Sequence, residues 1–449
     1  MTGPSIWTHA NGGEAANLAA GSAVDPARVE LVHRIHERLI QEFDLAALEQ
    51  SPAAAVRQAV EGSVRALVAQ MAAALYGDEK EALVRAVLDE AAGLGPIQSL
   101  IEDQTISEVM INAPDEIYFE RDGVIHLAPA RFRDETHILR VVERIIAPLG
   151  RRVDESSPYV DARLPDGSRV NAVIPPLVPR SPTVTIRKFR PDRLTVEDLV
   201  GNGTMTRHLA EFLGACIRLR LNVVISGGAG TGKTTLLNAL SGFIPDRERI
   251  IAIEDPIEMK LQQRHVISME ARPPNIEGRN AVTQRDLLRN ALRMRPDRII
   301  VGEVRGEEAF DMMQAMNTGH EGSMTTVHAN SGRDALARIE NMVLMAGLNL
   351  PVRAIREQMA SALHVLVHLA RFRDGRRMVV SVSEVSGLEG EVVTMQELFR
   401  FDQAGFDEDG NLLGSVVPSG LVPTFAERFA QAGIDFDWGA RAVAGSWSR

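Results

Sequence analysis

From Pro26 onward the apolar residues recur at helical spacing. Val29, Leu31, Val32, Ile35, Leu39 and Ile40 fall on one face, and Val56, Val60, Val64, Leu67, Met71 and Leu75 fall on a second. With a third helix expected over residues 81–94, the pattern predicts a helical module over residues 27–94. Ahead of it, residues 1–26 are rich in Ala, Gly, Asn and Ser with little apolar periodicity, which predicts a disordered leader. Beyond residue 95 short strands and turn signals take over. Strands are expected at 106–112, 116–120 and 124–127, a helix at 136–146, and further strands at 161–164, 169–174 and 183–189. Together they predict a small α/β domain over residues 95–190, followed by a linker at 191–198 that opens on Pro191-Asp192-Arg193.

From residue 199 short apolar runs alternate with helical segments, the pattern of a parallel sheet covered on both faces. Strands are expected at 222–226, 250–254, 266–270, 298–301 and 323–328, and helices near 206–219, 233–241, 283–294, 307–317, 333–345 and 353–362. Two more strands, 364–372 and 377–385, flank the turn Asp374-Gly375 and close an α/β domain spanning 199–385. Residues 386–449 carry Gly, Pro and Asp turns with weaker periodicity and are expected to form a C-terminal extension.

The chemistry concentrates where the first strand of that domain runs into a helix. Gly227-Gly228-Ala229-Gly230-Thr231-Gly232-Lys233-Thr234-Thr235 has the spacing of a phosphate-binding P-loop. A triphosphate needs several backbone N–H groups converging on one spot, and glycines let the backbone approach. The helix N-terminus adds its positive dipole end, Lys233 is placed to bridge phosphates, and Thr234 is the candidate Mg²⁺ ligand. Lys233 is expected to be solvated in the empty loop, so that Lys233→Ala removes nucleotide binding or hydrolysis without disturbing the fold.

Two later strands end in acids, at Glu254-Asp255-Pro256-Ile257-Glu258 and at Gly302-Glu303-Val304-Arg305. The C-terminal ends of parallel strands face the ligand crevice, so Glu254, Glu258 and Glu303 compete for the role of orienting or activating water. A histidine at a strand end, His328, is suited to sensing a γ-phosphate. A zinc site on His320 and His328 has no cysteine ligands and no third ligand in view.

Composition narrows the setting. The 449 residues are 45% apolar, enough for several cores, and the single cysteine, Cys216, excludes an intrachain disulfide framework and points to a reducing compartment. No run approaches the roughly 18 apolar residues of a membrane span, and a formal net charge of -11 argues against broad nucleic-acid binding.

The P-loop, the Glu254–Glu258 run, the Pro296–Arg305 segment and the Gly319–His328 segment resemble, in that order, the Walker A, Asp box, Walker B and His box of the type II/type IV secretion ATPase superfamily. The Val153–Asn171 stretch, with Thr185-Ile186-Arg187-Lys188-Phe189, looks most like the CpaF branch, which assembles Flp (tight-adherence) pili. The likeness covers roughly residues 30–435. It implies a RecA-like P-loop core preceded by a small PAS-like α/β domain and a helical module. It also implies a cytoplasmic homo-hexamer, peripheral at the inner membrane, that hydrolyses Mg-ATP to drive pilin assembly through inner-membrane platform proteins. No specific nucleic-acid partner is expected, and membrane contact is expected only through those proteins.

Residue by residue, the resemblance implies Lys233 and Thr234 as phosphate and magnesium contacts and Glu254 and Glu258 as Asp-box acids. Glu303 becomes the Walker B glutamate and His328 the His-box histidine. Arg163, Arg169 and Arg187 match arginines that the superfamily brings to the nucleotide from its N-terminal domain, where a guanidinium suits a phosphate in transit. The sequence lacks the four-cysteine zinc module of many relatives, and the Walker B strand has no Asp at its tip. Alternative readings are a type IV secretion ATPase for conjugation or effector export, a RecA-like nucleic-acid motor or clamp, and a nucleotide-binding scaffold.

Overall fold

The computed structural model describes residues 25–42, 53–121, 123–189, 194–274, 279–407 and 410–439. The expected leader lies almost wholly outside the described residues, as does the start of the expected linker. The chain divides into two compact units, Met1–Arg190 and Pro191–Arg449.

In the first unit, helices α1 (Pro26–Glu42), α2 (Ala53–Met71) and α3 (Gly77–Ala92) bury one face each around Ile35, Leu39, Val60, Val64, Leu67 and Val87. Short helix α4 (Gln98–Glu102) leads to strands β1 (Ile106–Ala113), β2 (Glu116–Arg121) and β3 (Val124–Leu127). Helix α5 (Glu135–Ile146) follows, then β4 (Tyr159–Arg163), β5 (Arg169–Val173) and β6 (Thr183–Arg187). The strands form one antiparallel sheet in the order β3-β2-β1-β6-β5-β4. Asp134 caps α5 by accepting from the His137 amide at 2.8 Å. The apolar stripe of α5, Ile138, Val141, Val142 and Ile145, then packs with Val109, Ile111, Val170 and Val184 of the sheet.

The second unit opens with α6 (Val196–Gly201), α7 (Arg207–Arg218), β7 (Val223–Gly227), α8 (Lys233–Ser241), β8 (Ile250–Glu254) and β9 (Val266–Glu270). It continues through α9 (Gln284–Ala291), β10 (Arg298–Val301), α10 (Glu308–Asn317), β11 (Met324–His328), α11 (Gly332–Met345) and α12 (Val352–Ala362). It ends with β12 (Val365–Arg371), β13 (Arg377–Glu389), β14 (Val392–Phe406), β15 (Leu412–Pro418) and α13 (Ala426–Gln431). The nine strands run β15-β14-β13-β12-β7-β11-β10-β8-β9. From β12 through β9 the pairs are parallel; β12 to β15 form an antiparallel extension.

The central strands read as continuous apolar runs because helices cover both faces. Val223 and Ile225 pack into one layer with α7 and α8, whereas Val224 faces the other with α10, α11 and α12. This is the expected α/β class. The difference lies after residue 385, where the weakly periodic tail forms two long strands. β14 buries Leu398 and Phe399, but much of its length is exposed. Only part of β14 packs against helices, and its exposed remainder has little apolar alternation to show.

Polar pins hold the sheet at the end away from the P-loop. Asn222, fully buried just before β7, accepts from the amides of Gly322 (2.8 Å) and Ser323 (3.0 Å) and donates to the Ala362 carbonyl at 2.7 Å. Arg298, also fully buried, pairs with Glu248 at 2.5 Å. Both contacts join residues far apart in sequence, and both were missed by periodicity.

Candidate nucleotide site

β7 delivers the chain into the glycine loop and α8 takes it out at Lys233. Gly227 meets Leu369 of β12 in the parallel register, and a Cβ there would stand 2.7 Å from the Leu369 carbonyl oxygen. Gly230 and Gly232 have φ of 67° and 91°, left-handed conformations that a side chain disfavours. Thr231 Oγ donates to the Gly228 carbonyl at 3.1 Å and braces the arch from within. Ala229 is exposed on that arch, Thr234 is half-buried on the first turn of α8, and Thr235 is exposed beside it. No side chain caps the N-terminus of α8. The loop therefore presents backbone donors and a dipole end to an anion.

Lys233 corrects an expectation. It is not solvated: it is 7% exposed, and its Nζ donates to the Gly228 carbonyl at 2.8 Å and lies 3.3 Å from His328 Nδ1. The loop folds back over the ammonium, and burial draws its pKa below the ordinary value, with Glu303 opposing and Arg305 reinforcing that shift. Lys233→Ala thus removes buried contacts as well as charge.

His328 ends β11 directly opposite Gly227. Its Nε2 lies 3.1 Å from Glu303 Oε1, and Arg305 Nη2 donates to Glu303 Oε2 at 2.8 Å. With Lys233 as a donor at Nδ1 and a carboxylate at Nε2, the bonding pattern assigns a neutral imidazole that carries its proton on Nε2. Burial lowers the His328 pKa; Glu303 raises it, while Lys233 and Arg305 add to the lowering. The Glu303 turn is fixed by the Val304 amide donating to the Thr326 carbonyl at 2.9 Å and by Thr326 Oγ donating to the Gly302 carbonyl at 2.7 Å. The structure thus brings Lys233, His328 and Glu303 together and adds Arg305, which the sequence reading left without a role.

Glu254 is placed differently. It is 3% exposed, and its carboxylate accepts from the backbone amides of Glu258 and Met259, each at 3.0 Å to Oε1. Gly302 leaves room for it, since a Cβ there would come within 2.9 Å of Glu254 Cγ. Glu258 is exposed on the same loop, and with Asp255 it raises the Arg305 pKa after the larger effect of the Glu303 hydrogen bond. His320 precedes β11 whereas His328 ends it, so the two histidines are not brought together.

Within the first unit the register aligns the three arginines. Arg163 is opposite Arg169, Arg169 opposite Arg187, and Arg187 opposite Glu108, to which it is paired at 3.2 Å. Directly paired residues share a face, so the register sets the three arginines side by side, with Glu108 next to Arg187. Their spacing in the sequence gave no hint of this row, which follows from strand order.

The residues fit a nucleoside triphosphate with its magnesium ion. The backbone cradle excludes a Cβ at Gly227, the ammonium is aimed at the loop, and the Thr234 hydroxyl supplies a hard oxygen.

This class of site belongs to a P-loop nucleotide enzyme, and the comparisons with known proteins carry the assignment further. A family model described as "Type II/IV secretion system protein" matches residues 90–393. The chain belongs to the type II/IV secretion system ATPase family. It is 36% identical over 325 residues to a putative conjugal transfer protein of Mycobacterium tuberculosis, covering 71% of this chain and 92% of that one. It is 33% identical over 295 residues to the conjugal transfer protein TrbB of Rhizobium radiobacter, covering 65% and 86% of the two chains. Among solved structures, it is similar to the VirB11 ATPase of the Brucella suis type IV secretion system, with 30% identity, a TM-score of 0.35, and 64% and 95% of the two chains covered. Among the described residues no helix is long and apolar enough to cross a membrane.

Proposed function

We propose that this chain hydrolyses Mg-ATP as a homo-hexameric ring at the cytoplasmic face of the inner membrane, working through membrane-embedded partner proteins of a type IV secretion machine. The observation that carries the catalytic part is the continuous contact from the P-loop through Lys233 and His328 to Glu303. In this reading Gly227, Gly228, Ala229, Gly230, Thr231 and Gly232 cradle the phosphates, with Thr234 and Thr235 at the helix start. Thr234 would hold magnesium, which would supply charge neutralisation. Glu303 orients the attacking water, and His328, sharing Lys233 and Glu303 as neighbours, distinguishes ATP from ADP. Glu254 shapes the Asp-box loop, and Glu258 supports the water from that loop.

The arginine row suits the same chemistry. Arg163, Arg169 and Arg187 stand in one row on one face of the sheet, and planar guanidinium groups suit the oxygens of a γ-phosphate. The simplest geometry is closure onto the nucleotide of the same chain. Mixing inactive Lys233→Met chains with inactive Arg163→Ala/Arg169→Ala chains tests this: recovery of activity in mixed rings assigns the arginines to a neighbour's site instead.

The conjugal transfer relatives favour secretion of the conjugative type. Flp pilus assembly is the second reading, favoured by the Val153–Asn171 stretch and its CpaF likeness. Phosphate release from purified protein tests the enzyme, and absence of Mg-dependent turnover overturns it. A deletion strain then separates the two processes: loss of transfer with intact surface pili supports the first, and the converse supports the second.

A further inference from the structure

A second charged element faces the P-loop, and the hydrolysis chemistry above does not use it. β12 and β13 are joined through Arg371-Phe372-Arg373-Asp374-Gly375-Arg376-Arg377, four arginines in seven residues. Arg376 is committed inside the second unit: it pairs with Asp374, donates to the Leu412 carbonyl and lies over the Phe372 ring. Arg371 and Arg377 stand directly opposite each other in the antiparallel register, so they leave the same face, and like charges held this way repel. Both are exposed. Arg377 Nε donates to the Gly230 carbonyl at 2.8 Å. Its Cδ lies 3.6 Å from the position of a Cβ on Gly232, and Arg371 Nη1 lies 3.8 Å from that of a Cβ on Gly230.

Strand order identifies the end of the nucleotide they meet. β7 lies between β11 and β12, with β10 beyond β11. His328 ends β11 and Glu303 lies just past β10, so the γ-phosphate chemistry is on that side of the P-loop. A triphosphate laid along the loop directs its nucleoside end the other way, toward β12 and the hairpin. We infer that Arg371 and Arg377 bind the α-phosphate of the nucleotide in the P-loop of their own chain. The inference rests on the proposal that this P-loop binds ATP. The anion relieves the repulsion between the two guanidinium groups, and planar Arg donors suit phosphate oxygens. Because ATP and ADP share the α-phosphate, the pair sets affinity for both and leaves their discrimination to His328.

The test is calorimetric binding of ADP and of a non-hydrolysable ATP analogue to the full chain at low and moderate salt. The variants are Arg371→Ala, Arg371→Lys, Arg377→Ala, Arg373→Ala and Lys233→Met. Arg371 is outside the Gly230 brace, so Arg371→Ala carries the test even where Arg377→Ala loosens the loop. Arg371→Ala is expected to weaken both nucleotides alike by about 10- to 100-fold and to flatten the salt dependence. Arg371→Lys should recover part of the loss, and Arg373→Ala should bind as wild type. ADP affinity unchanged in Arg371→Ala and Arg377→Ala, with Lys233→Met still impaired, overturns the inference and leaves the P-loop reading in place. Weakening of the ATP analogue alone overturns it as well. A wild-type chain that binds no ADP, or an unimpaired Lys233→Met chain, overturns the P-loop reading and this inference with it.

Discussion

Glu254 and Glu303 close the same crevice from neighbouring parallel strands, and their carboxylates meet different partners. Glu254, at the end of β8, is buried against the amides of Glu258 and Met259. Glu303, just past β10, faces side chains: His328 at one oxygen and Arg305 at the other. A buried carboxylate that accepts from two backbone amides fixes a loop, and its burial keeps it from water. One held between an imidazole and an exposed guanidinium beside the P-loop is better placed to meet water. Strand-end acids alone do not separate these cases. The partner atoms do.

The largest test of this contrast is kinetic. Glu303→Gln should lower single-turnover hydrolysis by roughly 10²- to 10⁴-fold with ATP affinity retained, the range expected on losing a general base. Glu254→Gln should stay within about tenfold of wild type, because its role is at one remove from the water. If Glu254→Gln proves the slower enzyme, the assignment reverses.

Stability should rank the two residues in the opposite order. Glu254→Ala strands buried amide donors at a cost of roughly 1–3 kcal/mol for each one left unpaired. Its thermal midpoint should therefore fall by several degrees, while Glu303→Ala, with partners that can turn to water, should fall by less. Equal midpoints for the two variants would remove the structural half of the contrast.

The smallest effect concerns pH. The folded-state pKa of His328 lies below its unfolded value near 6.5, so between the two values the unfolded chain binds more protons. Stability therefore rises with pH through that window and falls on acidification. With the side chain 36% exposed, solvent screening keeps the effect modest. Between pH 7 and pH 5 the wild type should lose slightly more thermal stability than His328→Asn. Turnover should fall over the same interval as a second cation forms beside Lys233, and a wild-type profile flat across it would count against the neutral-histidine contact.

Local pattern makes part of this molecule legible. The strands ending at Glu254 and Val301 and the loop from Gly227 to Gly232 follow from continuous apolar runs and glycine spacing, which act within a few residues. The stripe from Ile138 to Ile145 reads as one helix face for the same reason. β14 and β15 escaped because much of their length is exposed or half-buried and carries no strict alternation. Lys233 was misjudged because its burial comes from the fold of the loop and from His328, 95 residues away.

The sequence by itself determined the main strands and helices as far as residue 385, the P-loop and the set of candidate acids, because spacing and side-chain type dictate these locally. Only the tertiary structure decided which acid meets the histidine, that Arg163, Arg169 and Arg187 form one row, and that Arg371 and Arg377 face the glycine loop. Those outcomes depend on strand order and register. They join residues whose separation along the chain carries no record of their contact, and hydrogen bonding between strands sets them once the sheet has closed.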